Sequence, residues 1–261
     1  MKGTEMDLQL TGKRALVTGS TSGLGEEIAR TLAAEGVTVV VHGRDRGRAE
    51  AIAKEIGGTV AIGDLTTDEG ADAVAEAAKE VDILVNNLGV FDPSLTWDSL
   101  SADDWNDIYN VNVVASVRMI KRFVPGMKER GWGRVIQISS ALSDHPMDTQ
   151  PHYAATNAAR NNLAASLSRE LKDSGVTSNA VAAGGILTPK AKVRLTELGR
   201  QSGWGETWEE MAETAGKRLT TMVDVGRIGL PEEYAGLVTF LASPRSGYVT
   251  GATLRVDGGW H

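Results

Sequence analysis

The chain has 261 residues, 41% hydrophobic and 23% charged, with a net charge of −7 and no cysteine. This is the make-up of an ordinary globular protein, and its acidic balance argues against a nucleic-acid partner, which needs a clustered basic surface. Without cysteine there are no disulfides, no thiolate chemistry and no cysteine-bound metal.

In chain order, residues 1–7 lack the apolar core of a secretory signal. No apolar run nears the ~20 residues that span a bilayer, so a cytoplasmic protein with no membrane partner is expected. Residues 15–17 read as a strand, and 26–32 take helical spacing. Between them lie Thr18, Gly19, Ser20, Thr21, Ser22, Gly23, Leu24 and Gly25. Glycines turn tightly and let a bulky ligand approach the backbone. The helix start then offers unpaired N–H groups and a positive dipole end to an anion such as a pyrophosphate. Three spaced glycines alone say little; the strand before and the helix after supply the context the motif needs.

Residues 38–42 form a near-continuous apolar strand, as in a parallel sheet covered on both faces. A helix follows over 46–56, then a strand over 59–62 closed by Gly63, Asp64 and Leu65, and an alanine-rich helix over 66–79. A fourth strand, 82–87, runs into Asn86, Asn87, Leu88 and Gly89. Residues 101–127 are mostly helical, with Ser101 as N-cap and Pro125 kinking or ending the run. Residues 134–140 are a fifth strand, 151–172 a helix with Leu163, Leu167 and Leu171 on one face, and 177–182 a sixth strand. An irregular stretch is expected over 184–230, then a helix over 232–242 and a last strand over 252–256.

Strands alternating with helices, with no break in composition, predict an α/β fold. The expectation is a single-domain Rossmann-type doubly wound parallel sheet over 1–261, with a lid at about 184–230. Ligands on such sheets lie beyond the carboxyl ends of the strands. The turn at 18–25, Gly43 and Arg44, Asp64 and Leu65, residues 86–89, Ser139 and Ser140, and the segment 183–188 should therefore converge. His42, His145, His152 and His261 lack metal-ligand spacing, so no metal site is expected.

From Gly12-Lys13-Arg14 to Val256-Asp257-Gly258-Gly259 the chain resembles the short-chain dehydrogenase/reductase family, in its ketoacyl-reductase-like branch. The resemblance implies that the glycine turn cradles a nicotinamide dinucleotide, with Asn86, Asn87 and Gly89 supporting the sheet and the adenosine side. It implies a catalytic Asn112 that holds a relay water, a Ser140 that hydrogen-bonds the substrate oxygen, and Tyr153 as the group that moves a proton. A phenol near pKa 10 does this poorly at neutral pH unless its pKa is lowered. The family places a lysine four residues after the tyrosine, on the same helix face; here that position is Asn157. Asparagine can hydrogen-bond ribose hydroxyls. It cannot lower the phenol pKa by charge, an effect of about 1–3 pH units. Arg160, two turns on from Tyr153, could supply that charge but more simply reads as a solvated or interface arginine, and His152, on a different face of the helix, reads as a surface histidine rather than a substitute acid. Leu88 and Ala183 replace a small residue and a proline usual in the family, whereas Ile186 and Thr188 match its nicotinamide-side loop. These changes imply weaker cofactor retention or altered chemistry.

Gly43 stands where an acid would bind the ribose of NAD(H), and Arg44 follows, suited to grip a 2′-phosphate at two points. NADP(H) is favoured, with Asp45 leaving NAD(H) open and a solvated loop charge the plain reading of Arg44. In the lid, Lys190, Lys192, Arg194, Arg200, Lys217 and Arg218 balance Glu197, Glu206, Glu209, Glu210, Glu213 and Asp224, so no strongly anionic substrate is implied. Trp204, Trp208, Met211 and Met222 more simply pack the lid than touch a ligand; Phe91, Leu142, His145 and Met147 are expected on the other wall. The expected activity is hydride transfer between NADP(H) and a small-molecule carbonyl or secondary alcohol. The alternative is a catalytically impaired dinucleotide-binding member acting as a sensor or assembly subunit. The family commonly forms tetramers through its two long helices, so a homo-oligomer is implied.

Overall fold

The computed structural model of the chain describes residues 6–219 and 221–261, and all their side chains but those of 218 and 219. The lid charge at Arg218 and most of the stretch 1–7 therefore lie outside the described residues. Seven strands form one parallel sheet in the order β3-β2-β1-β4-β5-β6-β7. They are β1 Arg14–Val17, β2 Thr38–Gly43, β3 Thr59–Ile62, β4 Ile83–Asn86, β5 Gly133–Ser140, β6 Val176–Ala183 and β7 Thr253–Val256. The helices are α1 Gly23–Ala34, α2 Arg46–Ile56, α3 Asp68–Ala78, α4 Ala102–Tyr109, α5 Ala115–Glu129, α6 Pro151–Glu170, α7 Pro189–Gln201, α8 Trp208–Leu219 and α9 Pro231–Ala242. The doubly wound α/β sheet is as expected. Strand order runs outward in both directions from the β1–β4 pair, and the crevice beyond that pair is where such a sheet binds its ligand.

Side chains alternate across each strand, so the apolar runs feed two layers. Ala15 and Val17 face one layer with Ile28 and Leu32 of α1 and Val238 and Leu241 of α9. Leu16 faces the other, with Val74 of α3 and Met119 and Phe123 of α5. Pro125 neither ends nor breaks α5, which continues to Glu129. An interior proline costs about 3 kcal/mol. Met119, Phe123, Val124 and Met127 are buried on that helix. Burial of each such side chain contributes about 1.5–3 kcal/mol, enough to carry the helix through. Between α4 and α5, Asn110–Val114 form a π-helical turn.

The stretch 184–230 is not irregular throughout; it contains α7 and α8. Thr188 caps α7, its hydroxyl accepting the Ala191 N–H at 3.1 Å, and Pro189 takes the first helical position, where its missing N–H is harmless. A Cβ at Gly199 would lie 2.3 Å from Met211 Sδ. The two helices thus touch through Met211, which packs within the segment. Among the described residues no helix is long and apolar enough to cross a membrane, and no group of histidines and acids could hold a metal ion.

Candidate active site

The glycine turn combines left-handed glycines with ties from short side chains. Gly19 and Gly23 have φ of 67° and 61°, a left-handed region that side chains disfavour. A Cβ at Gly25 would fall 2.3 Å from Asn87 Nδ2 and 2.5 Å from Gly19 O. Asn87 Nδ2 donates to the carbonyls of Thr18 and Gly19 at 2.9 and 3.2 Å. Thr18 Oγ1 accepts the N–H groups of Asn87 and Leu88, both at 3.0 Å. Ser20 is buried; its hydroxyl donates to Val17 O and accepts the His42 N–H. Ser22 does not cap α1 with its side chain, which leaves the first-turn N–H groups to an outside acceptor.

His42 is a part of this turn that sequence reasoning missed. Its Nδ1 accepts the Gly19 N–H at 2.9 Å, and its Nε2 lies 3.2 Å from Gly63 O. An accepting Nδ1 carries no proton, so the ring is neutral with its proton on Nε2. Burial pushes its pKa down from 6.5 to about 4. The available signal was a lone polar side chain inside an apolar strand.

At the ends of β2 and β3, a Cβ on Gly43 would lie 2.5 Å from Thr21 Cγ2. Arg44, next in line, is exposed. Asp64 accepts the Thr66 N–H and hydroxyl at 2.9 and 2.7 Å. Those bonds, with help from the Arg44 charge, hold its carboxyl below the usual carboxylate range. The Leu65 side chain lies in the core with α3 and α5. Asn86 is also buried, beside Gln137 in the β4–β5 register. Neither of these two side chains reaches the crevice, so only their main chains are available there.

The second corner lies between the end of β5 and the start of α6. Ser140 Oγ accepts the Leu142 N–H at 3.2 Å. Burial pushes the Tyr153 phenol up; the Arg160 charge, Ser140 and Asn157 all act the other way. Asn157 is buried and donates through Nδ2 to Tyr153 O at 2.8 Å. Asn112 sits in the π-turn. Its Oδ1 accepts the Val90 N–H at 2.8 Å, and its Nδ2 donates to Val90 O at 3.0 Å and Thr156 Oγ1 at 3.2 Å. Both amide hydrogens are thus taken by protein, and a water could reach this carboxamide only through the second lone pair of Oδ1. Asn112 works as a clamp on the chain at Val90.

Two expectations on α6 are corrected. Arg160 is neither solvated nor at an interface; it is 3% exposed. Its Nε donates to Asn112 O at 2.5 Å, and its Nη1 and Nη2 donate to Ile138 O and Leu88 O. Two turns from Tyr153 is the same helix face, and that face lies on the sheet. His152 is not at the surface either. It is buried, its ring edge-on to Trp105 at 6.1 Å between centroids, because α4 packs across this end of α6. Burial lowers its pKa.

Leu88 packs partly into the core beside α5, and its carbonyl serves Arg160. Ile186 bridges to Gly229. Thr188 Cγ2 would stand 3.6 Å from a Cβ on Gly23, so this segment crosses the glycine turn. The Phe91 ring lies 5.7 Å from that of Tyr153, and Val90, Phe91, Trp97 and Val193 are exposed apolar side chains. Met147 and Met222 instead line a cavity of about 530 Å³ with Arg255 and Trp260, and His145 contacts Arg255 at 3.1 Å. Ser140 and Tyr153 are not among the residues lining that cavity.

A family profile described as short chain dehydrogenase matches residues 13–198. An uncharacterized oxidoreductase of Bacillus subtilis, YvaG, is 38% identical over 97% of this chain and 98% of its own. The chain belongs to the short-chain dehydrogenase/reductase family. FabG of Vibrio harveyi, a 3-oxoacyl-(acyl-carrier-protein) reductase, is 35% identical over 97% of this chain and 99% of its own. Among solved structures, L-sorbose reductase from Gluconobacter frateurii, complexed with NADPH and L-sorbose, matches with a TM-score of 0.88 at 32% identity over 98% of each chain. In this short-chain dehydrogenase/reductase the helix of Tyr153 carries Asn157 one turn on and the buried Arg160 two turns on.

Proposed function

We propose that the protein is an NADP(H)-dependent oxidoreductase that reduces a small-molecule carbonyl or oxidises the matching secondary alcohol. One observation carries this reading: the Tyr153 phenol, with Ser140 beside it, sits at the same carboxyl edge of the sheet as the glycine turn. The residues present fit a dinucleotide. The uncapped start of α1 and the glycines at 19 and 23 leave a cradle for a pyrophosphate. Thr21 crowds Gly43, so an acidic side chain has no room there, and exposed Arg44 suits a 2′-phosphate. Asp64, Gly89, Asn157, Ile186 and Thr188 are the further contacts we assign. The L-sorbose reductase, which binds NADPH, supports the choice of NADP(H).

A bound nicotinamide supplies or accepts the hydride. The chain's own part is the proton. Ser140 Oγ holds the substrate oxygen, and the Tyr153 O–H gives up its proton to that oxygen or recovers one from it. The exposed Phe91 ring, 5.7 Å from that of Tyr153, gives the substrate an apolar edge beside the phenol.

The test follows oxidation of NADPH and NADH with L-sorbose, a β-ketoester and simple diketones. The expected result is turnover of at least one ketone, faster with NADPH and lost in Tyr153→Phe. Failure to bind either nucleotide in a calorimeter overturns the reading.

A further inference from the structure

His42 follows the buried apolar run of β2 and is itself 2% exposed. By strand alternation its ring points to the same face as Val40, toward the layer that holds α3 and α5. Its main chain is tied to the glycine turn: the His42 N–H donates to Ser20 Oγ and the Ser20 N–H donates to His42 O, both at 2.9 Å. Its ring reaches two further partners, the Gly19 N–H at 2.9 Å through Nδ1 and the Gly63 carbonyl at 3.2 Å through Nε2. Burial outweighs the nearby Asp64 carboxylate and keeps the ring neutral. A neutral imidazole accepts at one nitrogen and donates at the other, across a rigid plane.

Both ends of this bridge are constrained already. Gly19 has left-handed backbone, with φ of 67°. Its carbonyl accepts from Asn87 Nδ2, so with His42 on its N–H both of its peptide groups are held. Gly63 is pressed onto α3: a Cβ there would lie 2.5 Å from Gly70 O and 2.7 Å from Val74 Cγ2. Among the described residues no hydrogen bond runs directly from the turn at 18–25 to the strand end at 59–66, and the His42 ring carries the link.

With a pyrophosphate at the start of α1 and a 2′-phosphate at Arg44, as proposed above, the adenosine lies between the glycine turn and the end of β3, where Asp64 stands. We propose that His42 is a positioning residue for this adenosine: its ring holds the Gly19 amide and the Gly63 carbonyl at one fixed separation and so sets the width of the adenosine half of the site. The inference rests on the proposed nucleotide site. It also divides the labour at the turn. The Gly19 N–H is used inside the fold, and an anion is left to the N–H groups at the uncapped start of α1.

The test uses adenosine 2′,5′-bisphosphate, which carries no nicotinamide, titrated into the full chain in a calorimeter. Asparagine places its amide oxygen near Nδ1 and glutamine its amide nitrogen near Nε2, and neither covers both. His42→Asn therefore keeps the tie to Gly19 and loses that to Gly63; His42→Gln does the reverse. Each should bind the bisphosphate about tenfold more weakly than wild type. Each should also raise KM for NADPH and leave kcat at saturation unchanged, because the Tyr153 corner is untouched. Gly57→Ala, which strains the backbone away from the site, is the control; it should melt earlier and bind as wild type does. Wild-type affinity in either His42 variant, or an equal loss in Gly57→Ala, overturns the proposal.

If neither His42 variant folds, isotope-labelled wild type decides. Its histidine nitrogen resonances should report a neutral His42 protonated at Nε2, with the bisphosphate and without it, and the Gly19 amide should exchange slowly in both states. A ring protonated at Nδ1, or a Gly19 amide that leaves His42 for the ligand, overturns the proposal. A protein that binds the bisphosphate but turns over no ketone sinks the proposed redox function and leaves these results standing, so the two failures are separable.

Discussion

The two ends of the crevice are built from different material. The glycine turn is a left-handed backbone tied by short side chains, and one more carbon would meet Asn87 or the Gly19 carbonyl at Gly25, and Thr21 at neighbouring Gly43. The Tyr153 corner is made of side chains of α6 beside Ser140, and two turns along α6 the Arg160 guanidinium ties in carbonyls from three other elements. A missing Cβ can be supplied by only one residue type, so the turn is bound to its positions. A hydrogen-bond donor is needed only at a point in space, and a long side chain can bring it there from more than one place.

The sharpest break in this comparison is at the phenol. Tyr153→Phe should lower turnover about 10²–10⁴-fold, with nucleotide affinity in the calorimeter little changed. The turn end has its own large effect, through acid. The folded pKa of His42, about 4, lies below the ordinary histidine value of 6.5. The neutral ring therefore stabilises the fold fully above pH 6.5, and that contribution is lost as pH falls toward 4. The full loss is about 3 kcal/mol by linkage. Denaturant melts at several pH values should show wild type losing more stability across this window than His42→Gln; parallel curves would remove His42 from the account.

Two smaller effects sharpen the contrast. Gly25→Ala must displace Asn87 or the Gly19 carbonyl, at about 1–3 kcal/mol of overpacking, read as a lower melting temperature and weaker nucleotide binding. Gly57→Ala, with nothing within 4 Å of the added carbon but a φ of 66°, separates backbone strain from collision. Arg44→Ala should weaken NADPH about tenfold, or about 1.4 kcal/mol, and spare NADH. Equal weakening of both nucleotides would mark Arg44 as an ordinary loop charge.

The strands were legible because most are short apolar runs closed by glycine, aspartate or asparagine, and the turn because its glycines stand between a strand and a helix. The helices α7 and α8 were not, because few of their residues are buried, Leu195, Gly199, Met211 and Ala215 among them, set among many charges. Arginine and histidine default to solvent in a sequence reading, which misplaced Arg160 and His152. A finer reading of α6 had a clue. Tyr153, Thr156, Asn157, Arg160 and Ala164 fall at i, i+3, i+4, i+7 and i+11, and all but one of these are small or uncharged polar residues. That is a sheet-facing stripe, with the arginine inside it. Nothing local in the sequence says which carbonyls the guanidinium would find, since they come from Leu88, Asn112 and Ile138.

The π-turn at Asn110–Val114 makes α4 and α5 depend on one surplus residue. A helix rotates about 100° per residue. Trimmed to a regular spiral by a single deletion, the rod could keep Met119, Phe123 and Met127 aimed at the sheet, or keep the carboxamide of Asn112 on Val90, but not both. The deletion would act as a frameshift in space: every codon after it still read correctly, and every side chain after it aimed a quarter-turn astray.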